Sequence, residues 1–599
     1  MRQELERLLS SDTFASAEGL RRFLRFVVEE TLAGRNAELK EYVVGSVGLG
    51  RGPAFDPRND SIVRVEAVKL RRKLAAYYAA EGGANTLQIS LPKGSYVPSF
   101  SYSAPRAPQR LRFRSLVPAA VVATLAITTS VWVLAGAHKR PAVAHPGSLA
   151  ILPFVDLNGD PVNEHIGDGL ADELITALSA SPSLRVVART SAFQYKNQPR
   201  DVQTIGRDLR VAAVLEGNYR RRGDRLNVAA KLVRTVDGLV IWSQSFDQDI
   251  DQMSAAQREI SSAIAAALQA KQQSQPGRYP SGPGAYDAYM RGLWLLQRGG
   301  PANLDKSAAA FQEAIAADPK FALAYAQLAI AFFEQESIGY RRPHDVMPKA
   351  REAALRAITL DAMLPEAHLA LGMVRVVYEW DWEGGCGEIE RSLEINPGSA
   401  RAHVIKAGLC LSRAGRFDEA RTEVRLAQTL DPASHATSGI EVTLAFAERN
   451  YDAVIDRCLK IAEVAPDTYW VYSALANSYS RQGNIVEARR MIELASRYRD
   501  DSAKTLSVLA QLHAWTGQRA EALKALERLH EASRQKYVPP TYLAVAYAGL
   551  RDADSAFQWL DQAYEERSGT LTGLKVNPGY DPIRQDPRFA ALLAKLGMN

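Results

Sequence analysis

The sequence predicts a multidomain chain: a small α+β module, one transmembrane helix, an α/β domain and an all-α repeat solenoid. Three observations predict it. Ser115–Ala137 carries no formal charge and is flanked by basic residues on both sides. Between 146 and 272, apolar runs with strand character alternate with amphipathic helical stretches, the order of a compact α/β domain. From about Gly282 the chain reads as helical, and small residues recur with the alternation of a helical-hairpin repeat. At 599 residues of ordinary globular composition, several domains are expected.

Residues 1–104 form the first module. In 18–33, Leu20, Phe23, Leu24, Val27, Val28 and Leu32 share one side of a helix. Leu39–Val44 reads as a short helix, followed by turns at Gly48, Gly50 and Gly52. A longer helix starts near Ser61, capped by Asn59 or Asp60, and ends at Gly82. Ile62, Val65, Leu70, Leu74 and Tyr77 face its core; Arg58, Arg64, Lys69, Arg71, Arg72 and Lys73 make a dense basic surface. TLQISLPKGSYVPSF then alternates apolar and polar residues around Pro92-Lys93-Gly94, as a β-hairpin does.

Charge is concentrated here. The chain carries a net +6, but residues 51–114 hold 12 Lys/Arg against 4 Asp/Glu, while residues 141–599 hold 52 against 55. Such a basic segment suits nucleic acid or anionic lipid. VRVEAVKLRRKL with LPKGSYVPSF resembles the recognition helix and wing of OmpR-type winged-helix DNA-binding domains, as carried by membrane-anchored CadC-like regulators. RFLRFVVEETLAGR, LKEY and FDPRNDSIVRVEA also resemble the N-terminal module of bacterial tetratricopeptide-repeat proteins. The resemblance implies that the helix enters the major groove, with Arg58, Arg64, Lys69, Arg71, Arg72 and Lys73 on phosphates or guanine edges and Lys93 at a neighbouring phosphate. The bland alternative is a juxtamembrane domain that binds lipid headgroups or a protein.

Residues 105–145 are linker and membrane span. As a helix, Ser115–Ala137 is about 34 Å long, enough for a hydrocarbon core of about 30 Å. Arg106, Arg110, Arg112 and Arg114 precede it, and Lys139 and Arg140 follow, so the positive-inside bias predicts a cytoplasmic N-terminus. The expected location is a bacterial inner membrane, crossed once, with residues 141–599 periplasmic. Met1–Ser10 has no apolar signal-peptide region, so the span serves as the anchor.

Residues 146–272 read as strand 148–157, helix 165–180, strand 184–190, helix 201–210, three strands and a closing helix 257–270. ILPFVDLNGD, IGDGLADELITALS, LRVVARTSAF, VLEGNYRRRGDRL and IWSQSFDQDI resemble the TolB amino-terminal-like domain. Asp160, Glu164, Asp168 and Asp172 form a carboxylate group without metal-ligand spacing, and the Arg220–Arg222 run reads as a solvated face.

Residues 283–599 carry units with the alternation of tetratricopeptide (TPR) repeats, about eight, some degenerate, ending in a cap. One unit holds Ala407, Gly408, Leu411, Gly415, Ala420, Ala427 and Pro432. Another holds Leu475, Ala476, Tyr479, Gly483, Ala488 and Ala495. Such arrays curve into a superhelix whose concave face binds peptides. Tyr378, Trp380 and Trp382 read as inter-repeat packing, and Cys386, Cys410 and Cys458 as helix packing residues.

No phosphate-loop, zinc-protease, serine-hydrolase or kinase signature is present, and no cofactor is expected. Some relatives with this architecture carry a nucleotide cyclase domain; no segment here has room for one. The sequence therefore points to a membrane-anchored one-component transcription regulator, not an enzyme. The expected partners are DNA, a protein or peptide on the superhelix, membrane lipid and, as a homodimer, a second copy of the chain. The competing reading is a membrane-tethered TPR scaffold that does not touch DNA.

Overall fold

The computed structural model describes residues 1–102 and 145–599, apart from 16, 36–38, 53–54, 56–61, 81–86, 93–95, 161–162, 199, 251–252, 269–283, 499–501 and 599. The expected span Ser115–Ala137 lies outside the described residues. Among the described residues, no helix is long and apolar enough to cross a membrane. The chain divides into two compact units at His138 and Lys139.

The first unit contains α1 (Arg2–Leu9), α2 (Asp12–Ala15), α3 (Glu18–Leu32), α4 (Glu41–Val43) running into a π-helical turn at Val44–Gly48, α5 (Ile62–Ala80) and the strands β1 (Leu87–Ser90) and β2 (Ser99–Tyr102). Leu20, Phe23, Leu24, Val27 and Val28 of α3 are buried, as their helical period requires. They share a core with one side of α5 and with Ile89 and Leu91 of the hairpin. A Cβ on Gly45 would lie 2.1 Å from the Phe55 ring, and one on Gly48 would lie 2.6 Å from the Phe26 ring. These glycines admit aromatic rings against the backbone.

The second unit begins with β3 (His145–Ile151), β4 (Val155–Asp156), α6 (Glu164–Ser179), β5 (Arg185–Val186), α7 (Arg189–Ala192), α8 (Val202–Leu209), β6 (Val211–Arg222), β7 (Arg225–Arg234), β8 (Val240–Asp249) and α9 (Met253–Ala267). The sheet order is β5-β3-β6-β7-β8, with β4 beside β6. β3 is parallel to β5 and β6, and β6, β7 and β8 form an antiparallel meander. One difference from the sequence reading stands out. The strand expected over 184–190 pairs only at Arg185 and Val186, because the Ala188 N–H donates to the Leu430 carbonyl and Arg189 turns to Asp168 and Asp172.

A solenoid of helical hairpins follows. Its first helices are α10 (Ala285–Arg298), α12 (Ala322–Ser337), α14 (Pro365–Val374) and α16 (Ala400–Ile405), then α18 (His435–Ala447), α20 (Tyr469–Arg481), α22 (Ala503–Trp515) and α24 (Pro540–Gly549). A second helix follows each, the last being α25 (Ala553–Glu565); α26 (Pro587–Lys595) ends the chain. Ala407, Ala420, Ala427, Ala476, Ala488 and Ala495 are fully buried where helices cross. A polar device also repeats. His368 faces Glu388 and the Ala362 carbonyl, and His403 one unit later faces Glu423 and the Pro397 carbonyl. α12 packs on α14, α20 on α22 and α22 on α24, and the second helices have no comparable mutual packing. The first helices therefore line the inner side of the curve.

The C-terminal residues return to the early repeats. Glu336 accepts the Gly569 N–H at 2.9 Å, Arg567 donates to the Tyr378 carbonyl at 3.0 Å, and the Trp382 indole donates to the Leu596 carbonyl at 2.8 Å. Trp380 stacks on Tyr564 with ring centroids 5.0 Å apart. The aromatic trio thus packs against the C-terminal cap as well as between repeats, where Tyr378 meets His344 and Arg413 lies over Trp382. Cys386 and Cys410 form a disulfide, while Cys458 is free and buried. Two of the three cysteines read as packing residues are therefore a covalent link between neighbouring units. Arg221, expected on a solvated face, reaches Asp287 of the first repeat helix at 3.4 Å, beside the His165–Asp287 contact at 3.0 Å. Burial opposes ionisation of Asp287, but the His165 hydrogen bond and the charges of His165 and Arg221 outweigh it and hold the carboxyl below its ordinary value.

Candidate nucleic-acid interface

Along α5, Val63, Ala67, Leu70, Leu74 and Tyr77 recur every three or four residues and form one buried stripe. Leu70, Leu74 and Tyr77 are the inward positions expected from the sequence. The side chains of Ile62 and Val65 lie outside the described residues, as do the expected cap at Asn59 or Asp60 and the stop at Gly82. Val63 and Ala67 were missed, although their spacing to Leu70 carries the signal.

The basic residues divide. Lys69 is exposed, and its ammonium lies 2.8 Å from Glu66 one turn earlier. Lys73 lies over the Phe14 ring, 5.8 Å from its centroid. Arg71 is half-buried; its Nε donates to the Leu91 carbonyl at 3.0 Å, and its terminal nitrogen donates to the Pro92 carbonyl at 3.0 Å. Arg64 and Arg72 are positions of α5 whose side chains lie outside the described residues, and Arg58 and Lys93 lie outside them altogether. At about 100° per residue, position 72 falls roughly opposite the buried stripe.

β1 and β2 pair antiparallel with Leu87 opposite Tyr102 and Ser90 opposite Ser99. Three contacts fix this hairpin to α5: both Arg71 donors, and the Ile89 N–H donating to the Tyr78 hydroxyl at 2.7 Å. Burial, with the Glu4 carboxylate beside it, pushes the Tyr78 hydroxyl well above its ordinary value, so it stays protonated. The arrangement is a helix–hairpin pair joined by side-chain hydrogen bonds, with Lys69 exposed. α1 supports it from behind: Leu5, Leu8 and Leu9 are buried in the same core. The sequence reading missed α1, although the spacing of these leucines carries the signal.

The carboxylates of α6 are occupied by cations of the chain itself. The Lys196 ammonium lies 2.6 Å from Glu164 and 2.7 Å from Asp168, and Arg189 lies 3.6 Å from Asp172. Burial drives the Asp172 carboxyl upward against the Arg189 charge. Among the described residues, no group of His, Cys, Asp and Glu is arranged to hold a metal ion.

Comparison with known proteins bears on the α/β domain. Residues 145–263 match the family described as HilA/YgeH-like transcriptional regulator, second domain. The chain is 28% identical over 243 residues to "Putative adenylate cyclase 3" of Rhizobium meliloti (strain 1021), covering 40% of this chain and 41% of that protein. The chain thus spans well under half the length of that curated relative. Among solved structures, it is similar to a tetratricopeptide repeat protein from Parabacteroides merdae ATCC 43184, at 13% identity over 42% of this chain and 93% of that one, with a TM-score of 0.33. It is also similar to the yeast Tom70, at 16% identity over 54% and 70% of the two chains, with a TM-score of 0.35. Residues 145–263 thus resemble the second domain of HilA/YgeH-like transcriptional regulators, and a solenoid of helical hairpins follows them.

Proposed function

We propose that the chain is a membrane-anchored one-component transcription regulator. Residues 1–104 act as a cytoplasmic winged helix on DNA, while the α/β domain, TolB amino-terminal-like in this reading, and the TPR superhelix bind a protein or peptide across the membrane. The observation that carries the reading is the regulator-domain match of residues 145–263, in a chain whose first unit holds a basic helix braced by a hairpin. Arg58, Arg64, Lys69, Arg72, Lys73 and Lys93 serve as DNA contacts, and Arg71 couples the helix to the wing. The disulfide Cys386–Cys410 favours an oxidising compartment for the repeats. The arginines ahead of Ser115 favour a cytoplasmic N-terminus. Cyclase activity, in the name of a relative of which this chain spans 41%, is not part of the proposal.

The test is a salt titration of the full chain on duplex DNA. Phosphate contacts make affinity fall steeply with salt. Affinity no greater than that of a charge-matched control protein would remove the DNA role. The membrane-tethered scaffold is then the better reading, and one observation already favours it: Arg71 and Lys73 both make contacts inside the fold. A reporter fused after Asn599 tests topology and is expected to be active only as a periplasmic enzyme.

A further inference from the structure

Residues 574–584 lie along the inner side of the last four repeats as a bound peptide would. Arg449, just after α18, donates to the Val576 carbonyl at 2.8 Å and to the Asp581 carboxylate at 2.8 Å. Arg481, the last residue of α20, donates to the Pro578 carbonyl and lies 3.7 Å from Asp581. Gln511 of α22 donates to the Gly579 carbonyl at 2.8 Å. Successive first helices, or the turn just after one, thus each present one polar side chain to one compact stretch, a turn at 574–576 followed by the 3-10 helix Pro578–Ile583. Three of the contacts address backbone carbonyls, which any sequence provides, and the Asp581 carboxylate lies between the guanidinium groups of Arg449 and Arg481, with that of Arg584 in the same stretch 3.0 Å away. Arg481 stacks on Trp515 at 3.9 Å, which holds its plane ready for an acceptor. Tyr580 and Ile583 are buried beside these contacts, with Tyr580 against Phe589.

We propose that Leu574–Arg584 is a resident ligand of this groove, and that the groove's external partner is a peptide that folds into the same 3-10 turn and bears an aromatic residue followed by an acidic one. The partner competes with the resident stretch for Arg449, Arg481 and Gln511. The proposal rests on reading the repeat array as the protein-binding region. The chemistry follows from the contacts: an acidic side chain answers the two arginines, an aromatic side chain replaces Tyr580, and the carbonyls of a 3-10 turn replace those of Pro578 and Gly579. A tethered competitor acts at an effective concentration of about a millimolar, so external peptides bind weakly until the tether's own grip is loosened.

The experiment uses the full chain and a fluorescent peptide with the sequence of residues 574–584. Asp581→Ala should bind this peptide about tenfold or more tightly than the unaltered chain. Adding Arg449→Ala and Arg481→Ala should remove that gain, as should Asn in place of Asp in the peptide. An Asp581→Ala chain that keeps its circular dichroism and melting temperature but binds no more tightly overturns the proposal. So does a gain that survives loss of both arginines. If Asp581→Ala does not fold, hydrogen exchange on the unaltered chain decides: excess peptide should speed exchange across 574–584, and unchanged exchange overturns the proposal. Neither readout involves DNA, so this proposal and the regulator assignment fail separately.

Discussion

Replacing Glu336 by Gln should stabilise the chain at neutral and alkaline pH and leave it unchanged in acid. Glu336 lies in the last turn of α12 and is buried where the early repeats meet the C-terminal cap, its carboxylate accepting the Gly569 N–H at 2.9 Å. Burial pushes its carboxyl from 4.5 up to about 7; the Glu334 charge adds to the rise, and the Gly569 hydrogen bond opposes it. The Tyr537 and Tyr542 hydroxyls face it, and burial holds both above their ordinary value. Between these two pH values the folded chain keeps a proton that the unfolded chain has lost. Stability therefore falls as pH rises across that window and is flat above it. At about 1.4 kcal/mol per unit, the charged form costs at most about 3 kcal/mol at pH 8. Glutamine keeps a carbonyl for Gly569 and carries no charge, so Glu336→Gln should recover most of this. The assay is exchange of the Gly569 amide, with urea midpoints of both proteins from pH 4.5 to 8. Parallel pH profiles for the two would refute the reasoning, as would a variant that is less stable at every pH.

Arg71→Ala should lower the urea midpoint by an amount equivalent to about 1 kcal/mol, since two hydrogen bonds to the hairpin are lost from a half-buried group. Arg72→Ala should change stability by within about 0.5 kcal/mol and, where it meets a base, weaken DNA binding by about 1–3 kcal/mol. Leu70→Ala, at a position with no exposure, should destabilise by about 2–5 kcal/mol, read from the same urea curve. Reducing Cys386–Cys410, which are 24 residues apart, should cost about 3 kcal/mol. The check is the melting temperature with and without reductant; a Cys386→Ser chain should show no such response.

The elements that the sequence reveals best are those with a strong period and one buried side. α3 announces itself because five of its apolar residues fall on one stripe and nothing polar interrupts it. The repeats announce themselves because alanines are required wherever two helices cross, so the pattern recurs whatever the other residues do. The order of strands and helices in the α/β domain was legible for the same reason. What escaped depends on contacts between residues far apart in the chain. β5 stops after two residues because Ala188 pairs with Leu430, a partner no local pattern announces. The disulfide depends on two neighbouring helical hairpins presenting Cys386 and Cys410 to one another, and their spacing fits no local motif. The contacts of 574–584 with Arg449, Arg481 and Gln511 escaped because their partners lie 68 or more residues away and the stretch from Tyr580 onward reads in sequence as a terminal cap.

The basic surface of α5 shows where sequence reasoning about a site reaches its limit. A run such as KLRRK declares that a helix is cationic, and burial of Leu70 and Leu74 fixes which way the helix faces. It does not declare what each cation binds. A guanidinium meets a phosphate and a pair of backbone carbonyls with the same donors, so Arg71 looks like a DNA reader until the hairpin carbonyls of Leu91 and Pro92 are seen in front of it. That contact makes the hairpin's position depend on the helix, which a wing requires if it is to meet a phosphate beside the groove the helix enters. Removing Arg71 would therefore weaken DNA binding through the wing as well as through lost charge. The stability measurement separates the two effects, because lost charge alone leaves the urea midpoint in place.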